Sequence, residues 1–66
     1  MKNIANQVIE ARSMRQLTQD QLSELTGISK EILTELEAGQ LDPNVTLLST
    51  IAKKLNCTFQ IGDFSI

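Results

Sequence analysis

The sequence predicts an all-α fold, a compact bundle of four helices with a helix-turn-helix, followed by a short C-terminal β-strand or hairpin, in one domain over residues 1–66. Apolar residues recur at helical spacing in four segments. Residues that favour helix starts or helix ends separate these segments. The final apolar residues instead alternate with polar ones, as in a half-buried strand. We expect helices at about 4–15, 19–25, 29–38 and 45–55 and the strand segment at about 57–66.

In the first helix, Ile4, Val8 and Ala11 form one apolar stripe. Thr18 then predicts the start of the second helix, because Gln21 three residues later completes a capping-box pattern that satisfies free amide hydrogens. Gly27 follows this helix, and glycine accepts the positive φ that closes a helix C-terminus. We therefore expect a sharp turn at Gly27.

Ser29 is the expected N-cap of the third helix, and Gly39 is its expected stop. Pro43 biases the preceding residue away from helical angles, so the chain around it is predicted to be a linker. Asn44 then caps the fourth helix, and Asn56 ends it. The broad apolar face of this last helix comprises Val45, Leu47, Leu48, Ile51, Ala52 and Leu55.

The last ten residues favour a two-residue hairpin turn at Gly62-Asp63, with glycine at its first central position. Such a hairpin is marginal by itself, and its outer edge is open to another chain. We therefore expect contacts with a second copy, and the alternative is that the tail folds back on its own core. The hairpin pairs Ile61 with Phe64 and Phe59 with Ile66, and these four residues are the predicted dimerisation contacts.

Length and composition argue against an enzyme. A chain of 66 residues buries only about 60% of the surface that it exposes when unfolded, so a deep pocket for a small-molecule substrate is not expected. It contains no histidine, and Cys57 is its single cysteine. We therefore expect no histidine base, no internal disulfide, no metal and no cofactor.

No apolar run approaches the roughly 20 residues that span a bilayer, and the first residues have no signal-peptide core. The sequence therefore predicts a cytoplasmic protein without a membrane partner.

A helix, a glycine turn and a second helix within about 20 residues is the geometry that presents a recognition helix to the major groove. Residues 19–36 resemble the Cro/repressor (XRE) family, with Ser23 and Gly27 at that family's small-residue and glycine positions. The resemblance covers roughly residues 4–56. It implies a repressor-like bundle and a transcription regulator that binds a palindromic double-stranded DNA operator as a homodimer. The C-terminal strand resembles the antitoxin branch, in which such a strand pairs with its two-fold mate.

The resemblance also implies roles for individual residues. Arg12 is expected to form a structural ion pair with Glu37, and Gln19 to bind a phosphate while it braces the recognition helix. Side chains of the third helix are expected to face the bases, where lysine suits guanine, carboxylates suit cytosine, and an apolar group suits the thymine methyl. The predicted DNA-binding residues are Thr18, Gln19, Ser29, Lys30, Glu31, Ile32, Thr34, Glu35, Gln40 and Asn44.

Charge favours a second hypothesis. The net charge is −2 and the pI is near 4.8, whereas nucleic-acid binders usually present a basic surface. Unpaired exposed carboxylates at Glu31 and Glu35 would repel DNA. The alternative is a protein-interaction module, such as a toxin-neutralising antitoxin or an anti-repressor. Its contact surface would combine the acidic residues Glu31, Glu35, Glu37 and Asp42 with the apolar residues Leu25, Ile32 and Leu41.

Overall fold

The computed structural model describes residues 3–42 and 44–66, and of Phe64 the backbone only. Its elements in chain order are α1 (Ile4–Met14), α2 (Gln19–Thr26), α3 (Lys30–Glu37), α4 (Val45–Leu55), β1 (Gln60–Ile61) and β2 (Phe64–Ser65). The prediction of four helices and a C-terminal hairpin is confirmed, with helix ends within one residue of those expected. The predicted linker proline, Pro43, lies outside the described residues.

The helix starts follow from side-chain caps. The Thr18 hydroxyl accepts a hydrogen bond from the Gln21 amide at 3.1 Å, and the Gln21 side chain accepts one from the Thr18 amide at 2.8 Å. Ser29 and Asn44 cap α3 and α4 in the same way, with bonds of 3.2 Å and 2.7 Å. The predicted caps are therefore confirmed, and they fix where each helix begins.

All four helices and the start of the hairpin contribute to one core. The buried apolar residues are Val8, Ala11, Leu22, Leu33, Leu36, Leu48, Ile51, Ala52, Leu55 and Phe59. Both helices of the helix-turn-helix thus bury one face and leave the other exposed. Packing, and not helix propensity, holds helices of eight residues in place, because isolated helices this short are marginal in water.

The hairpin has the predicted register. Ile61 pairs with Phe64, and the amide of each of Phe59 and Ile66 donates to the carbonyl of the other, at 3.2 Å and 2.9 Å. Gly62 adopts a φ of 57° at the turn.

One expectation about this segment needs correction. Phe59, expected at the dimer contact, is only 1% exposed and lies in the core of its own chain. Ile61 and Ile66 also pack against this core, although they are half-buried. The position of Phe59 therefore agrees with the alternative expectation, that the tail folds back on its own core. The side chain of Phe64 lies outside the described part of the chain.

Gln7 covers the outer edge of β1. Its side-chain amide donates to the Gln60 carbonyl at 2.9 Å and accepts from the Gln60 amide at 2.7 Å. Because Phe59 and Ile66 exchange hydrogen bonds, the amide and carbonyl of Gln60 and Ser65 point away from the hairpin. Gln7 thus occupies the outward groups of β1 and leaves those of β2 on the exposed edge.

None of the described helices is long and apolar enough to cross a lipid bilayer.

Candidate nucleic-acid interface

The turn between α2 and α3 is held by hydrogen bonds on both sides of Gly27. Gly27 has a φ of 77°, and its amide donates to the Ser23 carbonyl at 2.8 Å. The Ser23 hydroxyl donates to the Ile28 carbonyl, and the Ile28 amide donates to the Thr26 hydroxyl at 3.2 Å. Glycine suits this position because of its backbone conformation, since the space around a Cβ is open. The turn therefore sets a fixed angle between the two helices.

Arg12 and Glu37 lie against each other, as the resemblance implied. Arg12 Nε and Nη2 donate to the two carboxylate oxygens of Glu37, each at 2.9 Å, and Nη1 donates to the Leu17 carbonyl at 2.9 Å. The side chains are 20% and 6% exposed, respectively. This two-bond geometry is the stronger form of an arginine–carboxylate pair. It ties α1 to the end of α3 and neutralises Glu37.

Gln19 joins this pair to the exposed face of α3. Its Nε2 donates to Glu37 Oε1 at 3.0 Å, and its Oε1 accepts from the Thr34 hydroxyl at 3.1 Å. The Thr34 hydroxyl also lies 2.8 Å from the Lys30 carbonyl oxygen. Its single hydrogen is therefore shared between that oxygen and Gln19 Oε1. Gln19 thus contacts α3 in two places. Its Nε2 carries a second hydrogen, which is suited to a phosphate oxygen.

The outer face of α3 presents the residues that were predicted to face the bases. These exposed residues are Lys30, Glu31, Ile32, Thr34 and Glu35. Leu33 and Leu36 on the opposite face are buried. The spacing of polar and apolar residues therefore turns one face of α3 outward over its whole length.

The remaining predicted DNA-binding residues lie near helix starts or beside the linker. Thr18 and Ser29 are the exposed caps of α2 and α3, and Asn44 is the exposed cap of α4. Gln40 is exposed beyond α3, and its amide donates to the Glu35 carbonyl at 2.9 Å. Because a helix N-terminus carries partial positive charge, the three caps stand where phosphates are favoured.

The helix-turn-helix is acidic. Residues 19–37 contain Lys30 as their one cation, together with the carboxylates of Asp20, Glu24, Glu31, Glu35 and Glu37. Lys30 Nζ lies 3.2 Å from Asp20 Oδ1, a contact that connects the starts of α2 and α3. The sequence had not singled out Asp20, because ten residues separate it from Lys30. No local spacing rule predicts such a pair.

The Arg15 guanidinium is engaged by backbone carbonyls of its own chain. Its Nε donates to the Leu55 carbonyl at 2.9 Å and its Nη1 to the Ala11 carbonyl at 2.8 Å. The guanidinium therefore satisfies carbonyls at the ends of α4 and α1, where positive charge is favoured.

Nearby, burial raises the pKa of the Cys57 thiol, and Arg15 partly opposes this effect. Cys57 is thus held in its less reactive protonated form.

The apolar residues assigned to a protein contact divide into two groups. Leu25 and Ile32 are 44% and 38% exposed, whereas Leu41 is half-buried and packs against the core. The exposed apolar part of the predicted protein contact is therefore smaller than the sequence suggested. Within residues 3–42 and 44–66, no three metal-ligating side chains gather in one place.

The HTH_3 helix-turn-helix family model matches residues 8–61, which is most of the chain. The chain belongs to the HTH_3 helix-turn-helix family. The resemblance predicted from the turn and its flanking residues is therefore confirmed. A comparison with curated protein sequences gave no match.

The HTH_3 fold is also found in a solved protein. A crystal structure of an HTH_3 family transcriptional regulator from Vibrio cholerae is similar, with a TM-score of 0.79 and 39% sequence identity. The match covers 82% of this chain and 30% of that protein, so this chain spans under a third of its length. The similarity therefore concerns the helix-turn-helix domain and not the rest of that regulator.

Proposed function

We propose that this chain is the DNA-binding domain of a transcription regulator and that it places α3 in the major groove of double-stranded DNA. The observation that carries the proposal is the outward polar face of α3, held by a rigid glycine turn in an HTH_3 fold. A major groove about 12 Å wide accepts a helix in this arrangement.

In this proposal, each exposed residue of α3 has a chemical role. The Lys30 ammonium donates to guanine O6 and N7, and the Thr34 hydroxyl oxygen accepts from a base while its hydrogen stays within the protein. Glu31 and Glu35 accept from the cytosine amino group, which compensates their repulsion of the phosphates. Ile32 contacts a thymine methyl.

Residues around α3 position it on the DNA backbone. Gln19 donates its second amide hydrogen to a phosphate while it remains bonded to Glu37 and Thr34. Thr18, Ser29, Gln40 and Asn44 contact the backbone beside the groove. Because backbone contacts carry no sequence information, these residues contribute affinity and orientation.

The function that these roles support best is repression from a palindromic operator by a homodimer. One acidic recognition helix neutralises few phosphates, so affinity from a single copy is low. Two copies double the contacts, and half-sites one helical turn apart, roughly 34 Å, match a two-fold axis.

Lys30→Ala tests the DNA-reading role. We expect the wild-type protein to enrich a palindrome from random duplexes at low salt. Because the variant loses two donors to guanine, its affinity for that sequence should fall by about 1 to 3 kcal/mol, together with the preference for one base per half-site. Titration of labelled duplexes at several salt concentrations measures both effects.

Lys54→Ala is the matched control, since it removes the same charge from an exposed position in the last turn of α4. Its affinity should change by less than about 0.5 kcal/mol. Enrichment of no sequence by a folded wild-type protein would contradict the proposal.

The exposed edge of β2 is the proposed dimer contact, with Ile61, Phe64 and Ile66 beside it. The outward amide of Ser65 donates to a second copy, whereas Gln7 closes the edge of β1. Ser65→Pro removes this amide without removing a hydrogen bond of the hairpin, so we expect a dimer to become a monomer. Sedimentation equilibrium distinguishes 7.3 kDa from twice that mass.

Ser65→Ala is the control for this change, because it removes the hydroxyl and keeps the amide. We expect it to remain dimeric. A dimeric Ser65→Pro protein would exclude strand pairing at this edge.

A second candidate function is neutralisation of a protein partner, as by an antitoxin. The acidic surface of the helix-turn-helix, together with exposed Leu25 and Ile32, favours a basic and partly apolar partner. The same selection experiment separates the two functions. A protein whose main partner is another protein would be folded and would enrich no duplex.

A further inference from the structure

The contact between Asp20 and Lys30 lies where the proposed function needs Lys30 to act. Lys30 is the first residue of α3, and Asp20 is in the first turn of α2. Their side chains are 70% exposed for Asp20 and 57% exposed for Lys30, so a nucleic acid can reach both. The ion pair thus places a carboxylate next to the one cation of the helix-turn-helix.

This arrangement limits the way in which Lys30 can bind DNA. An ammonium group has three N–H donors. One donor directed at Asp20 Oδ1 leaves two, which is the number that guanine offers as acceptors in O6 and N7. Lys30 can therefore contact guanine while it keeps its bond to Asp20.

A phosphate is a poorer partner for the same ammonium. It is negatively charged, and it would approach a place already occupied by the Asp20 carboxylate. Like charges at this distance repel each other, most strongly at low salt. The edge of guanine is uncharged and presents acceptors. Asp20 therefore disfavours contact with phosphates, which every DNA sequence offers. It permits contact with guanine, which only some sequences present at that position.

We propose that Asp20 is a positioning and specificity-determining residue, which directs Lys30 toward a guanine edge and away from phosphates. The proposal rests on the proposed function of α3 as a major-groove reader. A role of this pair in folding is not expected, because ion pairs between exposed side chains contribute little to stability.

Asp20→Asn tests this role, with Glu24→Gln as the matched control. Both substitutions replace an exposed carboxylate of α2 with the isosteric amide, and Asp20 is the residue whose carboxylate contacts the Lys30 ammonium. Affinity is measured for the selected operator, for the operator with another base pair at the position that Lys30→Ala identifies, and for a random duplex. Thermal unfolding of each variant verifies that it folds.

For Asp20→Asn we expect affinity for the random duplex to rise by roughly 3- to 10-fold at low salt, an increase that disappears at high salt. The ratio of the affinities for the operator and for the operator with another base pair should fall to about one third of the wild-type ratio or less, because the ammonium is now free to bind phosphate. Glu24→Gln should change both quantities by less than about 2-fold. In a Lys30→Ala background, Asp20→Asn should leave base preference unchanged, as a double-mutant cycle requires.

Equal effects of Asp20→Asn and Glu24→Gln, or full guanine preference in Asp20→Asn, would overturn the inference. The proposed function would survive that result if the wild-type protein binds its operator and Lys30→Ala binds it more weakly and without the base preference. If Lys30→Ala alters no base preference, or if no operator is enriched, both the role of Asp20 and the reading role of Lys30 fail.

Discussion

Arg12→Met is expected to lower the free energy of unfolding by about 3 to 5 kcal/mol at neutral pH. The substitution keeps an apolar stem but leaves Glu37, which is 6% exposed, as a buried carboxylate without its cation. Gln19 alone compensates that charge poorly, because its amide is neutral. A domain of this size has a total stability of about 3 to 10 kcal/mol, so the substitution should remove between about a third and all of it. Urea titration followed by circular dichroism measures the change.

The paired substitution Arg12→Met with Glu37→Leu separates the cost of a buried charge from the cost of lost contacts. Replacement of both partners by apolar groups is often neutral, so we expect it to restore much of the lost stability. Lys54→Met, at an exposed position, should change stability by less than about 0.5 kcal/mol. If Arg12→Met behaves like Lys54→Met, the pair contributes little to the fold.

The helices could be predicted from sequence because their signals are local. Thr18 and Gln21 satisfy each other within three residues, and Gly27 closes a helix because of its own backbone freedom. The hairpin register followed from the positions of Gly62 and the alternating residues beside it. In each case, the residues that decide the structure are neighbours in the chain.

Contacts between residues that are far apart in the sequence were harder to predict. The pairing of Arg12 with Glu37 spans 25 residues and was expected only from a family resemblance. The bond between Gln7 and Gln60 spans 53 residues and had no signal in the sequence, because the side-chain amide replaces a neighbouring strand. Asp20 was overlooked for the same reason, since its partner lies across the turn.

The alternation of Phe59 and Ile61 with polar residues gave the correct period but left the assignment of faces open. Alternation identifies the side of a strand that is apolar, and it does not identify the surface that covers this side. The structure places Phe59 in the core with the helices, so its role is to attach the hairpin to its own chain. A second copy can reach the edge of β2 without displacing it.

Phe59→Ala is therefore expected to destabilise the whole domain, by about 3 to 5 kcal/mol, because it leaves a cavity where a fully buried aromatic side chain was. Chemical denaturation gives the free energy, and hydrogen exchange of the Gln60 amide reports on the attachment of the hairpin. Exchange should be accelerated to the rate expected for global unfolding. Ile32→Ala, at a 38% exposed position, is the control and should change stability by less than about 1 kcal/mol.

Comparison of the single variants Phe59→Ala and Ser65→Pro distinguishes the two roles of the tail, packing in the core and contact between copies. Ser65→Pro should separate the copies while it leaves the monomer folded, whereas Phe59→Ala should unfold the monomer and lose the dimer as a consequence. If Phe59→Ala instead gave a stable monomer with native unfolding behaviour, the side chain would belong to the contact between copies, and the core would be complete without it. Phe59 packs in the same core as Leu48 and Leu55 of α4. We therefore expect folding to attach the hairpin to its own chain first. Association of two copies then uses the exposed edge of β2.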